Sequence, residues 1–285
     1  MKTITIYHQD CNDGTTAAAV VLKKYPDALV FPLDHDYEQA EIDQIIAQAK
    51  PGDRILTVDC VIGVKEFLAK GFAVTSIDHH ASVKDEYTAL AASNPAFTFA
   101  FDNDHSGSAL AWITLFPNQE IPELVRLVED QDIWRNKYGA DTQAVNNFIF
   151  TLRDKPEEVA KLFDASLDAI KRDGATISKY SRIMIDDMTD GTEAIMVKVG
   201  PHTVPFYNIT SYKSDCGNIL TNKVDKTVGL FTIDGEKVKI SFRCLDRHSP
   251  SAADLAVALG GGGHHNAAGA AMPLSDFLKA IVRSE

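Results

Sequence analysis

A parallel α/β fold is predicted for the first half of this chain from two observations. Short β-rich apolar runs, Thr3–Tyr7, Arg54–Val58 and Phe72–Ile77, alternate with segments whose apolar residues recur at helical spacing. Each run also finishes on groups that ionise or bind metals: His8 and Asp10 after the first, Asp59 after the second, and Asp78-His79-His80 after the third. Strands joined through helices lie parallel, and open parallel sheets hold ligands beyond the carboxyl ends of their strands.

Taken in order, the first strand leads through His8-Gln9-Asp10-Cys11-Asn12-Asp13-Gly14 into an Ala-rich helix over Thr15–Lys24. Gly14 permits a close backbone approach there, and the helix N-terminus favours an anion. Leu29–Leu33 is a short or edge strand because Pro32 lacks a ladder donor. Glu41–Ala47 has helical spacing, and Pro51-Gly52-Asp53 turns the chain into the Asp59 strand. After the Asp78 run, Phe97–Phe101 is a strand, Ser106 and Gly107 start an apolar helix reaching Phe116, and Pro122–Trp134 is a helix with Leu124, Leu127 and Val128 inward. His105 is expected in a capping loop, with a contribution to the site as the alternative, and Trp134 in the core, with stacking of a base as the alternative.

Lys155–Met188 is amphipathic and helical, a connector without recognisable chemistry. A second α/β unit follows: strands Glu193–Val199, Val204–Ile209, Thr227–Ile233 and Lys237–Arg243, the last two joined by the hairpin signal Asp234-Gly235-Glu236. A helix over Ser251–Leu259 ends in glycines 260–263. The expected organisation is therefore α/β: a parallel-sheet N-terminal domain over residues 1–154, a helical connector over 155–190, and a smaller mixed α/β domain over 191–285.

Composition narrows the function classes. A chain of 285 residues, 45% hydrophobic and 24% charged, can bury two modest cores. No stretch approaches the roughly 18 apolar residues of a membrane span, and Met1-Lys2-Thr3-Ile4 enters a strand directly, so a cytoplasmic protein with no membrane partner is expected. The net charge of −12 argues against a track for long duplex nucleic acid. It leaves room for a small phosphate substrate, because bound cations reverse the local potential. Cys11, Cys60, Cys216 and Cys244 lack metal-knuckle spacing; Cys11 and Cys60 either line the site or are small buried hydrophobes.

The strand-end groups carry the chemistry. Asp78-His79-His80 alone reads equally as a helix start with solvated histidines or as a ligand cluster. If the strands are parallel neighbours, His8, Asp10, Asp13, Asp59, His79 and His80 converge on one edge. Mixed carboxylate and imidazole donors suit Mn²⁺ and related divalent ions, and a carboxylate such as Asp59 can bridge two of them.

These motifs resemble those of the DHH-family phosphoesterases. Asp78-His79-His80 is similar to the motif that names the family, His8-x-Asp10-x-x-Asp13-Gly14 to its first motif, Asp59 to its second, and Glu129-Asp130-Gln131-Asp132 to its fourth. Gly261-Gly262-Gly263-His264-His265-Asn266-Ala267-Ala268-Gly269 resembles the glycine-rich signature of the C-terminal domain that accompanies many members. One departure stands out: Asn12 occupies a position where a carboxylate is expected, which leaves open whether Asp10, Asp13 or both bind metal directly.

The resemblance implies a ligand set of His8, Asp10, Asp13, Asp59, His79 and Asp130, with Asp132 the alternative to Asp130, holding two Mn²⁺ ions for which Mg²⁺ or Co²⁺ could substitute. Asp59 would be shared between the ions, and His80 would orient the phosphate or protonate the leaving group. Arg243, Gly262, Gly263, His264, His265 and Asn266 would grip the substrate. The activity implied is Mn²⁺-dependent hydrolysis of short single-stranded RNA or DNA, or of dinucleotides, as a 3′–5′ exonuclease. The alternatives are a phosphodiesterase of cyclic dinucleotides or nucleotide phosphatase, and a non-catalytic nucleotide sensor.

Overall fold

The computed structural model describes residues 1–34 and 37–282 and divides into two compact units, residues 1–179 and 180–285. Residues 283–285, the end of the second domain expected from sequence, lie outside the described residues.

The first unit alternates strand and helix: β1 (Thr3–His8), α1 (Asn12–Lys24), β2 (Leu29–Leu33), α2 (Gln39–Ile46), β3 (Arg54–Val58), α3 (Val64–Ala69), β4 (Val74–Asp78), α4 (Lys84–Ser93), β5 (Phe97–Phe101) and α5 (Gly107–Leu115). The helices α6 (Glu123–Asp132), α7 (Ala140–Phe150), α8 (Pro156–Leu162) and α9 (Leu167–Thr189) follow, and the unit boundary falls within α9. All five strands are parallel, in the order β2-β1-β3-β4-β5. Pro32 stands on the edge strand, as its missing donor requires.

Alternation along the strands builds a core on each face of the sheet. Ile4, Ile6 and Ile55 pack with Ile42, Ile45, Phe67 and Tyr87 on one side. On the other, Tyr7, Leu56, Val58 and Ile77 pack with the alanines of α1 and with Ala109, Leu110 and Trp112 of α5. Ala-rich α1 can lie this close because its side chains are small. A third cluster, Leu124, Leu127, Val128, Val145, Ile149, Val159 and Ile170, fixes α6 against α7.

The strand order reverses between β1 and β3, because the chain leaves β1 towards β2 and returns to the other side. Such a reversal opens a crevice at the carboxyl ends of the strands. His8 ends β1, and Asp59 follows β3 directly. The topology alone therefore delivers these two side chains to one place.

The second unit carries a six-stranded sheet, β10-β11-β9-β8-β7-β6, mixed because only β7 and β8 run parallel. Its elements are β6 (Ile195–Val199), β7 (His202–Asn208), α10 (Lys213–Val224), β8 (Val228–Asp234), β9 (Lys237–Arg243), α11 (Ala252–Ala258), β10 (Gly262–Gly263), β11 (Ala267–Pro273) and α12 (Leu274–Ala280). Phe206 and Phe242 face a cluster with Leu255 and Phe277, whereas Tyr207, Ile209 and Leu230 face one with Cys216 and Leu220. Ser251 caps α11 through a reciprocal pair with Asp254. No helix among the described residues is long and apolar enough to cross a membrane.

Candidate metal centre

Asp59 sits at the middle of the strand-end cluster, 1% exposed and with a left-handed backbone (φ 57°), a strained conformation for a non-glycine residue. His79 Nε2 lies 3.1 Å from Asp59 Oδ1, and His8 Nδ1 3.7 Å from Oδ2. Neither contact completes a hydrogen bond, so both buried carboxylate oxygens lack a donor. Asp132 Oδ2, 3.5 Å from His79 Nε2, is buried without a donor as well. Protein interiors rarely leave such acceptors unmet unless a ligand completes them.

Among the described residues, three overlapping groups have donor atoms within 4.8 Å of one another: Asp59, Asp78, His79 and His80; His8, Cys11 and Asp59; and Asp13, His79 and Asp132. Asp59 belongs to two groups and His79 to two. This donor set and its unmet oxygens fit divalent cations.

Glycines set the spacing of this cluster. A Cβ on Gly14 would stand 2.3 Å from His8 O, and one on Gly107 would stand 2.6 Å from Asp59 Cβ. The starts of α1 and α5 can reach the strand ends only without side chains at those positions. α5 then aims its first amides at Asp13: Ser108 N donates to its carboxylate at 3.1 Å, and Ser106 Oγ donates at 2.7 Å.

The charge states follow from crowding. Burial first, and then the charges of Asp132 and Asp59, raise the Asp13 carboxyl well above the ordinary carboxylate range. Burial and Asp59 likewise raise Asp132 to about 6. Burial also pushes Asp59 upward, but the imidazoles of His79 and His8 outweigh it and hold Asp59 below its ordinary value. Burial would lower His79, yet Asp59, Asp13 and Asp132 together raise it to about 9. Without cations the cluster keeps protons that it would release on binding metal.

Two expected ligands stand apart. Asp130 points into the α6–α7 connection, where Lys137 N donates to it at 2.9 Å, Tyr138 N at 3.2 Å and the Thr142 hydroxyl at 2.5 Å. Those bonds consume its acceptors, and its neighbour in the same acidic run, Asp132, reaches the cluster instead. Asp10 is exposed, with φ 55°; its amide donates to Asp154, and its carboxylate lies 3.5 Å from Arg153 Nε. Cys11, not Asp10, stands beside His8 and Asp59.

The remaining motif residues divide their tasks. Asp78 Oδ1 accepts from His79 N at 2.8 Å and pairs with His80 Nδ1 at 2.7 Å, so it braces its own motif. His105 pairs with Glu129 at 2.7 Å, in keeping with a structural role at the start of α5. Trp134, expected in the core, is 81% exposed: it follows the end of α6 with φ 58°, and its indole is turned outward. Ser106 and Ser108, which orient Asp13, carried no sequence signal beyond a helix start.

In the second unit, Arg243 ends β9, half-buried, donating to Phe242 O and to Ser214 Oγ. The glycine run is strand-paired. A Cβ on Gly261 would stand 2.1 Å from Gly269 O and one on Gly263 2.5 Å from Ala268 Cα, whereas one on Gly262 would meet nothing within 4 Å. Packing explains the first two glycines and leaves Gly262 open. His264, His265 and Asn266 are exposed at the turn, with Asn266 Nδ2 donating to Asp246 at 2.6 Å.

Comparison with known proteins agrees with this architecture. Residues 214–284 match the DHHA1 domain. This match supports the resemblance of the sequence motifs to the DHH family. An uncharacterized protein of Acanthamoeba polyphaga mimivirus is 26% identical over 207 residues, 68% of this chain; the chain spans about half of that relative's length (47%). Among solved structures, exonuclease RecJ bound to manganese is similar over 97% of this chain and 87% of its own (17% identity, TM-score 0.53). The RecJ of Thermus thermophilus in complex with Mn²⁺ matches 97% of this chain and 50% of its own (16%, 0.55). A pGpG-specific phosphodiesterase of Vibrio cholerae matches 98% and 95% (14%, 0.51). What the chain shares with these structures is the fold.

Three outcomes are expected. Asp132→Asn weakens Mn²⁺ binding in calorimetry by roughly tenfold or more. Asp130→Asn instead costs about 1–3 kcal/mol of stability in urea with little change in affinity. The rise in Tm on adding Mn²⁺ also grows as pH passes through about 6. The sign follows from Asp132: its raised pKa contributes stability that is present below the ordinary carboxylate value and lost as pH rises through about 6, and a cation restores it.

Proposed function

We propose that this chain is a divalent-metal-dependent phosphodiesterase that hydrolyses short single-stranded oligonucleotides, releasing mononucleotides from the 3′ end. The observation that carries the reading is the buried Asp59 carboxylate, without a hydrogen-bond donor, set between His8 and His79 at the strand-order reversal. His8, Asp13, Asp59, His79 and Asp132 would hold two cations, Mn²⁺ being the best match to this mixture of imidazole and carboxylate. Bound cations would neutralise charge on the phosphoryl oxygens and make water a competent nucleophile near neutral pH.

The chain's own groups would do the rest. Asp78 fixes the His80 ring through Nδ1, leaving Nε2 to face a phosphate oxygen or to supply the leaving oxygen's proton. His80 is half-exposed, so substrate can reach it. Ser106 and Ser108 hold Asp13 in one orientation. In the second unit, Arg243 would pair with a substrate phosphate, and the open space over Gly262 would admit phosphate or sugar against backbone amides, with His264, His265 and Asn266 at the same turn. Trp134, two residues beyond Asp132 and exposed, offers a face on which a base would stack.

The likeness to the pGpG-specific phosphodiesterase supports linear dinucleotides as the shortest substrates within the same reading.

The test is hydrolysis of end-labelled RNA and DNA of graded length, together with pGpG and cyclic dinucleotides, with Mn²⁺. Stepwise loss of mononucleotides from the 3′ end is expected. Asp59→Asn should abolish it, and Trp134→Ala should raise KM about 5- to 150-fold while sparing kcat. Cleavage of cyclic substrates alone would replace the proposal with a signalling phosphodiesterase, and binding without turnover would replace it with a sensor.

A further inference from the structure

The mechanism above leaves Cys11 unused, although it stands inside the cluster. Cys11 immediately precedes α1, is only partly buried, and makes no side-chain capping bond to the helix. Its sulfur lies within 4.8 Å of donor atoms of both His8 and Asp59. Asp59 is the buried carboxylate whose oxygens lack donors, so an unmet acceptor and a thiol face the same small space. The other cysteines are placed differently: Cys60 Sγ is turned to Ile6 O within the first core, and Cys216 and Cys244 lie within the clusters of the second unit.

We propose that Cys11 is a metal ligand, completing a His8–Cys11–Asp59 site that selects thiophilic divalent cations such as Co²⁺, Zn²⁺ and Cd²⁺ over Mg²⁺. The proposal rests on the metal-dependent reading given above and specifies the character of one of its two positions. One sulfur, one imidazole nitrogen and one carboxylate oxygen form a borderline-soft set, in contrast to the Asp13, His79 and Asp132 group, which has two oxygens and one nitrogen. Binding forms a sulfur–metal bond and breaks the S–H bond, whose proton passes to solvent. The protein would then bind a mixed pair of ions, and Zn²⁺ or Cd²⁺ at the soft position would compete with Mn²⁺.

The experiment is titration of the full chain with Co²⁺, following thiolate-to-cobalt charge-transfer absorption in the near ultraviolet and bound metal by mass spectrometry. Wild type should develop the band, Cys60→Ala should keep it, and Cys11→Ala should lose it while binding Cd²⁺ about tenfold or more weakly. Should Cys11→Ala fail to fold, alkylation of wild type decides: Cd²⁺ should protect Cys11 about tenfold or more against iodoacetamide, and Mg²⁺ should not. Cobalt bound at two ions per chain without the band, or Cd²⁺ bound without protection, would overturn the Cys11 assignment and leave the phosphodiesterase reading intact. A chain that bound neither Co²⁺ nor Mn²⁺ would overturn both.

Discussion

Everything in the first unit turns on a repulsion. Asp13, Asp59 and Asp132 are drawn together at one sheet edge, the first two almost wholly buried. Burial penalises each charge, and each carboxylate penalises the others, which is why Asp13 and Asp132 hold their protons unusually tightly. Only Asp59, flanked by two imidazoles, stays readily ionised. A fold keeps such an arrangement only if the rest of the structure over-determines it. Here the enforcing elements are the parallel sheet, the amides and hydroxyls at the start of α5, and the two glycines that let α1 and α5 approach.

That division of labour separates scaffold from chemistry. The cores on the two sheet faces are made of ordinary aliphatic and aromatic packing and depend on no charged group. The polar residues cluster where β1 and β3 diverge, at the carboxyl ends of the strands. Cations placed there would turn three mutually repelling carboxylates into an attractive set. The same electrostatics that weaken the metal-free protein would then strengthen the loaded one.

Much of this was legible in the sequence, and the exceptions have identifiable causes. Strand ends could be read because each apolar run stops abruptly on a carboxylate or imidazole, so the convergence of His8, Asp59, His79 and His80 follows from pattern, whereas the choice of ligands among them rested on the family resemblance. Asp130 and Asp132 could not be separated that way: both lie on the last turn of α6, and the choice is made by the amides of Lys137 and Tyr138, which capture Asp130 from the following loop. Trp134 has a core residue's composition but lies past the helix end in a left-handed conformation that no propensity anticipates. Helix α7 was not anticipated, and neither was α10, which contains Gly217. Strand β11 is built from alanine and glycine and is a strand only because β9 pairs with it.

The most direct measurement of the central claim compares Asp13→Asn with wild type by thermal unfolding at neutral pH, with and without Mn²⁺. Asparagine retains an acceptor for Ser106 and Ser108 while removing the most heavily penalised charge. The account predicts a variant more stable than wild type without metal and almost unresponsive to Mn²⁺. A metal-free variant less stable than wild type that still gained the full Mn²⁺ shift would contradict it.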